Sequence, residues 1–178
     1  IAVHHMADKI KSYFGKGLRW DINIIYSEEE IPLGTAGAIK KAEKYIDNTF
    51  LVLNGDTYSH IDLKSFIDFH KSKKSNFSMA VTASNSNSGN YGNIILNEDK
   101  VTSYAEKTGG SALINSGIYI FEPKIFDYIE PDKNVSLEKE IFPKLSKEKL
   151  LWGYQYKGYF MDIGRPETYE KFREDVLN

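Results

Sequence analysis

Two aspartates close apolar segments that lie far apart in the chain. Asp56, in Asn54-Gly55-Asp56, follows the run Phe50–Leu53, and Asp162, in Asp162-Ile163-Gly164, ends the strand-like residues 159–162. A carboxylate just past the carboxyl end of a buried strand stands where open α/β sheets bind ligands, and Asp suits a hard cation such as Mg²⁺. Two such acids can hold one ion between them and leave positions open for phosphate oxygens. The plainer alternatives are an Asn-Gly turn at Asp56 and, at Asp162, a turn cap leading into a helix opened by Pro166.

A second kind of chemistry is available at Leu33-Gly34-Thr35-Ala36-Gly37, between an acidic loop (Glu28, Glu29, Glu30) and a helix. Glycines at a helix N-terminus let backbone approach a ligand, and the exposed N–H groups there suit a phosphate or a base edge. They serve equally to permit a tight turn and close helix packing. Glu106-Lys107 alone reads as a solvated surface pair, and Asn115-Ser116-Gly117 interrupts a strand as a bulge or as a point where a ligand meets backbone. The four histidines, His4, His5, His60 and His70, have no ligand spacing and read as structural or surface residues.

The elements that must position these residues are legible from periodicity. Met6, Ile10, Tyr13 and Phe14 predict a helix ended by Gly15 and Gly17. Alternation predicts a strand over 22–26, helical spacing returns over 38–46, and the run Phe50–Leu53 predicts a strand buried on both faces. A helix over 63–70 and a strand over 77–82 follow. This is the grammar of a doubly wound α/β sheet. The second half reads as hairpins and a mixed sheet edge: strands over 94–96, 101–104 and 113–121, with a turn over 97–100. Ser136 is a candidate N-cap for a helix that Pro143 must kink or end. Strands over 151–156 and 159–162 precede a last helix from Pro166. No internal repeat is evident, only residues 84–90 are low in complexity, and one domain over 1–178 is the economical reading.

Composition narrows the function classes. The 178 residues are 41% hydrophobic and 27% charged, as in an ordinary globular domain, which excludes disorder. A chain of this length buries about 70% of its unfolded surface, enough for one sizeable core without metal or disulfide staples. With no cysteine, thiolate chemistry, Cys-ligated zinc and iron–sulfur clusters are excluded and nothing demands an oxidising compartment, so the cytoplasm is the expected location. The formal charge of −2 gives no whole-chain attraction to nucleic acid or to an anionic membrane. No apolar run reaches the ~18 residues of a membrane span. The chain opens on Ile1, in strand-like residues, which reads as an N-terminal truncation.

Taken in order, Pro32-Leu33-Gly34-Thr35-Ala36-Gly37, Asn54-Gly55-Asp56, Tyr91-Gly92, Glu106-Lys107, Asn115-Ser116-Gly117-Ile118-Tyr119 and Asp162-Ile163-Gly164-Arg165-Pro166 strongly resemble the sugar-1-phosphate nucleotidylyltransferases. The resemblance covers nearly the whole chain. It is nearest to the short mannose-1-phosphate and heptose-1-phosphate guanylyltransferase-like members, which also carry Leu-Gly-Thr-(Ala/Gly)-Gly and end soon after Asp-Ile-Gly-x-Pro-x-x-Tyr, whose tyrosine here is Tyr169. It implies a Rossmann-like, doubly wound mixed sheet of the nucleotide-diphospho-sugar transferase type, lacking its first strand and Gly-rich loop. It also implies transfer of a nucleotidyl group from an NTP, with GTP expected, to a sugar 1-phosphate, giving an NDP-sugar and pyrophosphate.

By the same resemblance Asp56, Lys107 and Asp162 would be catalytic, with Asp56 and Asp162 ligating Mg²⁺. Leu33, Gly34, Thr35, Ala36, Gly37, Asn54 and Gly55 would seat the nucleotide, with Glu29 near the base. Tyr91, Gly92, Glu106, Lys107 and Asn115 would seat the sugar phosphate. The partners implied are the NTP and the sugar 1-phosphate, with room for a homo-oligomer and with neither nucleic acid nor membrane. The chain departs from the family in containing neither the Gly-rich loop with its catalytic Arg nor the Pro-Lys-Pro segment, so this chain alone is expected to be inactive. Two rivals remain: a GT-A-type glycosyltransferase, against which Glu106-Lys107 and the Asp162 motif argue, and a non-catalytic nucleotide- or sugar-phosphate-binding regulatory module.

Overall fold

The structure is a computed structural model that describes residues 1–83, 93–105 and 113–177. Strand β1 (Ala2–Val3) leads into α1 (Ala7–Phe14), which stops at Gly15, whose amide bonds the Lys11 carbonyl. Where alternation predicts a strand over 22–26, the chain instead folds back on this turn. Ile22 and Ile24 donate to the carbonyls of Gly17 and Lys16, Tyr26 Oη donates to the Gly15 carbonyl, and Ile22 and Ile25 stay exposed. Local hydrogen bonding has taken the groups a sheet ladder would need, and strand pairing begins only at β2 (Ser27–Glu28), parallel to β1.

Helix α2 (Gly34–Lys41) starts four residues before the predicted segment and is followed by a 3₁₀ turn at Glu43–Tyr45. Then come β3 (Phe50–Leu53), β4 (Thr57–Ser59), α3 (Leu63–Ser72), β5 (Phe77–Ala83), β6 (Asn93–Asn97), β7 (Lys100–Ala105) and β8 (Leu113–Phe121). A 3₁₀ stretch at Pro123–Tyr128 and a π turn at Leu137–Ile141 precede α4 (Phe142–Lys147), and β9 (Leu151–Gln155), β10 (Phe160–Asp162) and α5 (Pro166–Leu177) close the chain. Helical residues run without a break from Leu137 to Lys147, and the π turn gives way to α4 at Phe142, one residue before Pro143.

Six strands form one mixed sheet in the order β3–β8–β5–β9–β7–β6, parallel only at β5–β9. Its centre is β5, whose residues point alternately to two packed faces. Phe77, Met79 and Val81 join Tyr119, Phe121, Leu137, Phe142 and Leu145 on one side, while Ala80 meets Phe66 of α3 with Ile118 and Ile120 on the other. Helices thus cover both faces of an α/β sheet. Strand β3 does not match its expectation of burial on both faces. Among the described residues it pairs with β8 alone and is covered on one face: Phe50 and Val52 pack on the core while Leu51 and Leu53 are 38% and 57% exposed.

Beside this sheet, β4 and β10 form an antiparallel pair that sets Asp162 opposite Thr57. The ring of Phe172 on α5 packs 4.8 Å from Tyr58 and holds the pair against the last helix.

Candidate active site

The short β4–β10 ladder brings together the two aspartates that the sequence separates. Ile163 donates its amide to the Asp56 carbonyl at 2.8 Å, and Asp162 Oδ1 accepts from the Gly164 amide at 2.9 Å. A Cβ on Gly164 would stand 3.2 Å from Asp162 Oδ1 and 3.4 Å from Asp56 Oδ2, so both carboxylates border one glycine. Their oxygens are no further apart than the sum of those two distances, well inside the ~8 Å beyond which one ion cannot span them. Among the described residues neither carboxylate forms an ion pair with Lys, Arg or His. Two hard oxygen donors that converge on Gly164 beside open space at Gly55, with no described side-chain cation to neutralise them, fit a divalent cation bound by carboxylates and by substrate phosphates.

The bulge predicted at Asn115-Ser116-Gly117 is present and fixes the approach to Asp56. The pairing register of β8 with β5 shifts across this segment, and Gly117 takes φ +73°. Asn115 Oδ1 accepts from the Gly117 amide, and its Nδ2 donates to the hydroxyls of Tyr119 at 2.8 Å and Tyr104 at 3.3 Å. The Gly117 carbonyl in turn accepts from the Asn54 amide at 2.9 Å, and the Asn54 side chain lies so close that a Cβ on Gly117 would meet it at 3.0 Å. Asn115 is thereby a brace for the loop that carries Asp56. Burial, assisted by the Glu138 charge, pushes the Tyr119 phenol well above its ordinary range, so it stays neutral.

At the other end of the site, the Gly34 and Gly37 positions are packed by protein. Residues 133–135 lie across them: a Cβ on Gly34, where φ is +71°, would meet the Val135 carbonyl oxygen at 2.6 Å, and one on Gly37 the Lys133 oxygen at 2.5 Å. Ala36 and Gly37 donate their amides to Val135 O, and Leu33 and Ala36 are buried. Among the described residues the amides of Gly34 and Thr35 are left without such a partner. Glu29 holds this loop, its Oε2 accepting from the Leu33 amide at 2.9 Å while its carbonyl meets His4 Nδ1 at 2.7 Å. A cavity of about 870 Å³, lined by Thr35, Ala38, Ile39, Leu51, Leu53, Asn54, Gly55 and Asp56 among others, joins α2 to Asp56.

Glu138, which the sequence did not single out, ties the helix that starts at Ser136 to the glycine segment over 34–37. Its Oε2 accepts from Thr35 Oγ1 at 2.7 Å and from Ser136 Oγ at 2.9 Å. The sequence marks only Ser136 here, as a candidate N-cap, and nothing local points to Glu138. Tyr91, Gly92, Glu106 and Lys107 lie outside the described residues. His70, as expected, is structural: it is buried between Ser78 Oγ at 2.8 Å and Glu122 Oε1 at 3.3 Å.

A family model described as "Nucleotidyl transferase" matches residues 1–178. The chain is 36% identical over 190 residues to a probable mannose-1-phosphate guanylyltransferase 3 of Arabidopsis thaliana, covering 100% of the chain but 56% of the plant protein. It is 33% identical to the D-glycero-alpha-D-manno-heptose 1-phosphate guanylyltransferase of Aneurinibacillus thermoaerophilus, covering 95% of the chain and 74% of that enzyme. Among solved structures, HddC from Yersinia pseudotuberculosis in complex with GMP-PN superposes with a TM-score of 0.82 at 35% identity, over 98% of the chain and 76% of HddC. An apo UDP-glucose pyrophosphorylase, 21% identical, superposes at 0.79 over 99% of the chain and 80% of its own, a likeness of fold alone.

Proposed function

The chain belongs to the nucleotidyl transferase family, and from that premise we propose that it serves guanylyl transfer from GTP to a mannose- or heptose-type sugar 1-phosphate. A phosphate oxygen of the sugar 1-phosphate attacks the α-phosphorus of GTP, the bond to the bridging oxygen breaks, and pyrophosphate leaves. The observation that carries the reading is the convergence of Asp56 and Asp162 on Gly164. The guanylyltransferase relatives and the nucleotide-analogue complex of HddC support the choice of base.

The reaction asks for alignment of two anions and for relief of the charge that accumulates between them. Asp56 and Asp162 would hold Mg²⁺, whose charge would lower the repulsion between the reacting phosphates. The free amides of Gly34 and Thr35 would face the nucleotide, Lys107 would pair with the sugar phosphate, and Glu106 would meet sugar hydroxyls. Asn115 would keep the Asp56 loop in register through Gly117. No described helix is long and apolar enough to cross a membrane, and phosphorylated small molecules as substrates suit the cytoplasm.

The test is pyrophosphate release by the full-length protein from a panel of nucleoside triphosphates with mannose 1-phosphate and with a heptose 1-phosphate. GTP should be preferred, and EDTA should abolish release until Mg²⁺ is restored. A clear preference for UTP or dTTP defeats the guanylyl assignment, free GDP from a GDP-sugar marks a glycosyltransferase, and binding without turnover marks a regulatory module.

A further inference from the structure

The short parallel ladder of β1 and β2 ends on a side chain. Ser27 and Glu29 donate their amides to the carbonyls of Ile1 and Val3 at 2.9 Å each, and in a parallel ladder the next bond would run from the His5 amide to the Glu29 carbonyl. The chain turns away there, for Met6 takes φ +55° at the start of α1. The imidazole of His4 supplies the donor instead: its Nδ1 stands 2.7 Å from the Glu29 carbonyl oxygen, and among the described residues no other donor reaches that oxygen. A carbonyl oxygen only accepts, so the ring carries a proton on Nδ1.

Glu29 is where this ladder end meets the site. Val3 holds its amide and His4 its carbonyl, so its side chain leaves from a fixed Cα to accept from the Leu33 amide at 2.9 Å. Leu33 is buried and stands immediately before the amides of Gly34 and Thr35. Resting on the function proposed above, we propose that His4 is a positioning residue for the nucleoside triphosphate, acting through Glu29 to hold the first residues of α2 where their free amides meet the nucleotide. His4 is itself exposed and belongs to neither apolar cluster of the large sheet. Its removal therefore loosens this loop and leaves the fold standing.

The experiment uses the full-length protein and its His4→Ala, His4→Asn and His4→Gln variants. Steady-state pyrophosphate release is measured with GTP, Mg²⁺ and mannose 1-phosphate or a heptose 1-phosphate, alongside GTP binding by calorimetry and Tm. His4→Ala should weaken GTP about three- to tenfold, the scale of one lost hydrogen bond, with the loss in KM for GTP and not in kcat, in KM for the sugar 1-phosphate or in Tm. Asn carries its Nδ2 as many bonds from the backbone as His carries Nδ1, whereas Gln carries its Nε2 one bond further. His4→Asn should therefore restore most of the GTP affinity, and His4→Gln should not. Unchanged GTP binding in His4→Ala overturns the inference while leaving the family function standing. Equal losses for both substrates, a lowered Tm, or a loss that His4→Asn does not repair overturn it in favour of a general structural role. Failure of the unaltered protein to bind any nucleoside triphosphate overturns the functional reading, and this inference with it.

Discussion

Asp56 is exposed and Asp162 has one backbone donor, so neither carboxylate is needed by the core. In the full-length protein, Asp56→Asn and Asp162→Asn should each lower turnover by about a hundredfold or more, the scale of losing a key electrostatic group. Asp56→Asn should alter unfolding free energy by no more than about 0.5 kcal/mol, which chemical denaturation would check. His70 gives an effect on stability instead of activity. Burial lowers its proton affinity below the ordinary value of 6.5, and the Glu122 carboxylate only partly opposes this. The unfolded chain therefore binds this proton more readily, and the stabilisation, fully present above pH 6.5, is lost as pH falls through the lowered folded value. Urea unfolding between pH 7.5 and 5.5 should show that loss, and His70→Gln should flatten it. The aspartates were legible because strand ends advertise themselves in sequence. The hydrogen bond between Thr35 and Glu138 was not, because its two partners lie 103 positions apart in the chain.

At the level of elements, the β8 bulge links sheet to site, and Gly117 is its hinge point. Gly117→Ala must accept φ +73° and a Cβ 3.0 Å from Asn54, which should cost about 1–3 kcal/mol in urea unfolding and displace the Asn54-Gly55-Asp56 loop. Turnover should fall with it, although residue 117 touches no substrate. Most elements followed from periodicity: α3, β5, β8 and α5 appear within a few residues of their expected spans. The errors share one cause, which is that burial depends on neighbours. Residues 22–26 alternate correctly for a strand but bond back to Lys16 and Gly17, and β3 is apolar throughout yet lies at an edge. A window of sequence contains the pattern of an element but not the identity of what lies beside it.

Over the whole molecule, the outer edge of β3 is unpaired among the described residues and flanked by exposed Leu51 and Leu53, while the net charge of −2 offers little repulsion between copies. Such an edge is a template for intermolecular strand pairing. Produced as these 178 residues alone, the chain should self-associate with rising concentration in light scattering, and a Leu51→Lys, Leu53→Lys variant should reduce this without loss of secondary structure. The placement of β5 at the sheet centre has a consequence for birth on the ribosome. Both its neighbours, β8 and β9, are encoded downstream, so a strand buried at six of its seven residues leaves the tunnel with no partner to meet. At about 5–20 residues per second the wait for β9 is on the order of several seconds. During translation, then, Phe77–Ala83 is the stretch a chaperone should find first, and slowing synthesis downstream of it should lower the yield of native protein instead of raising it.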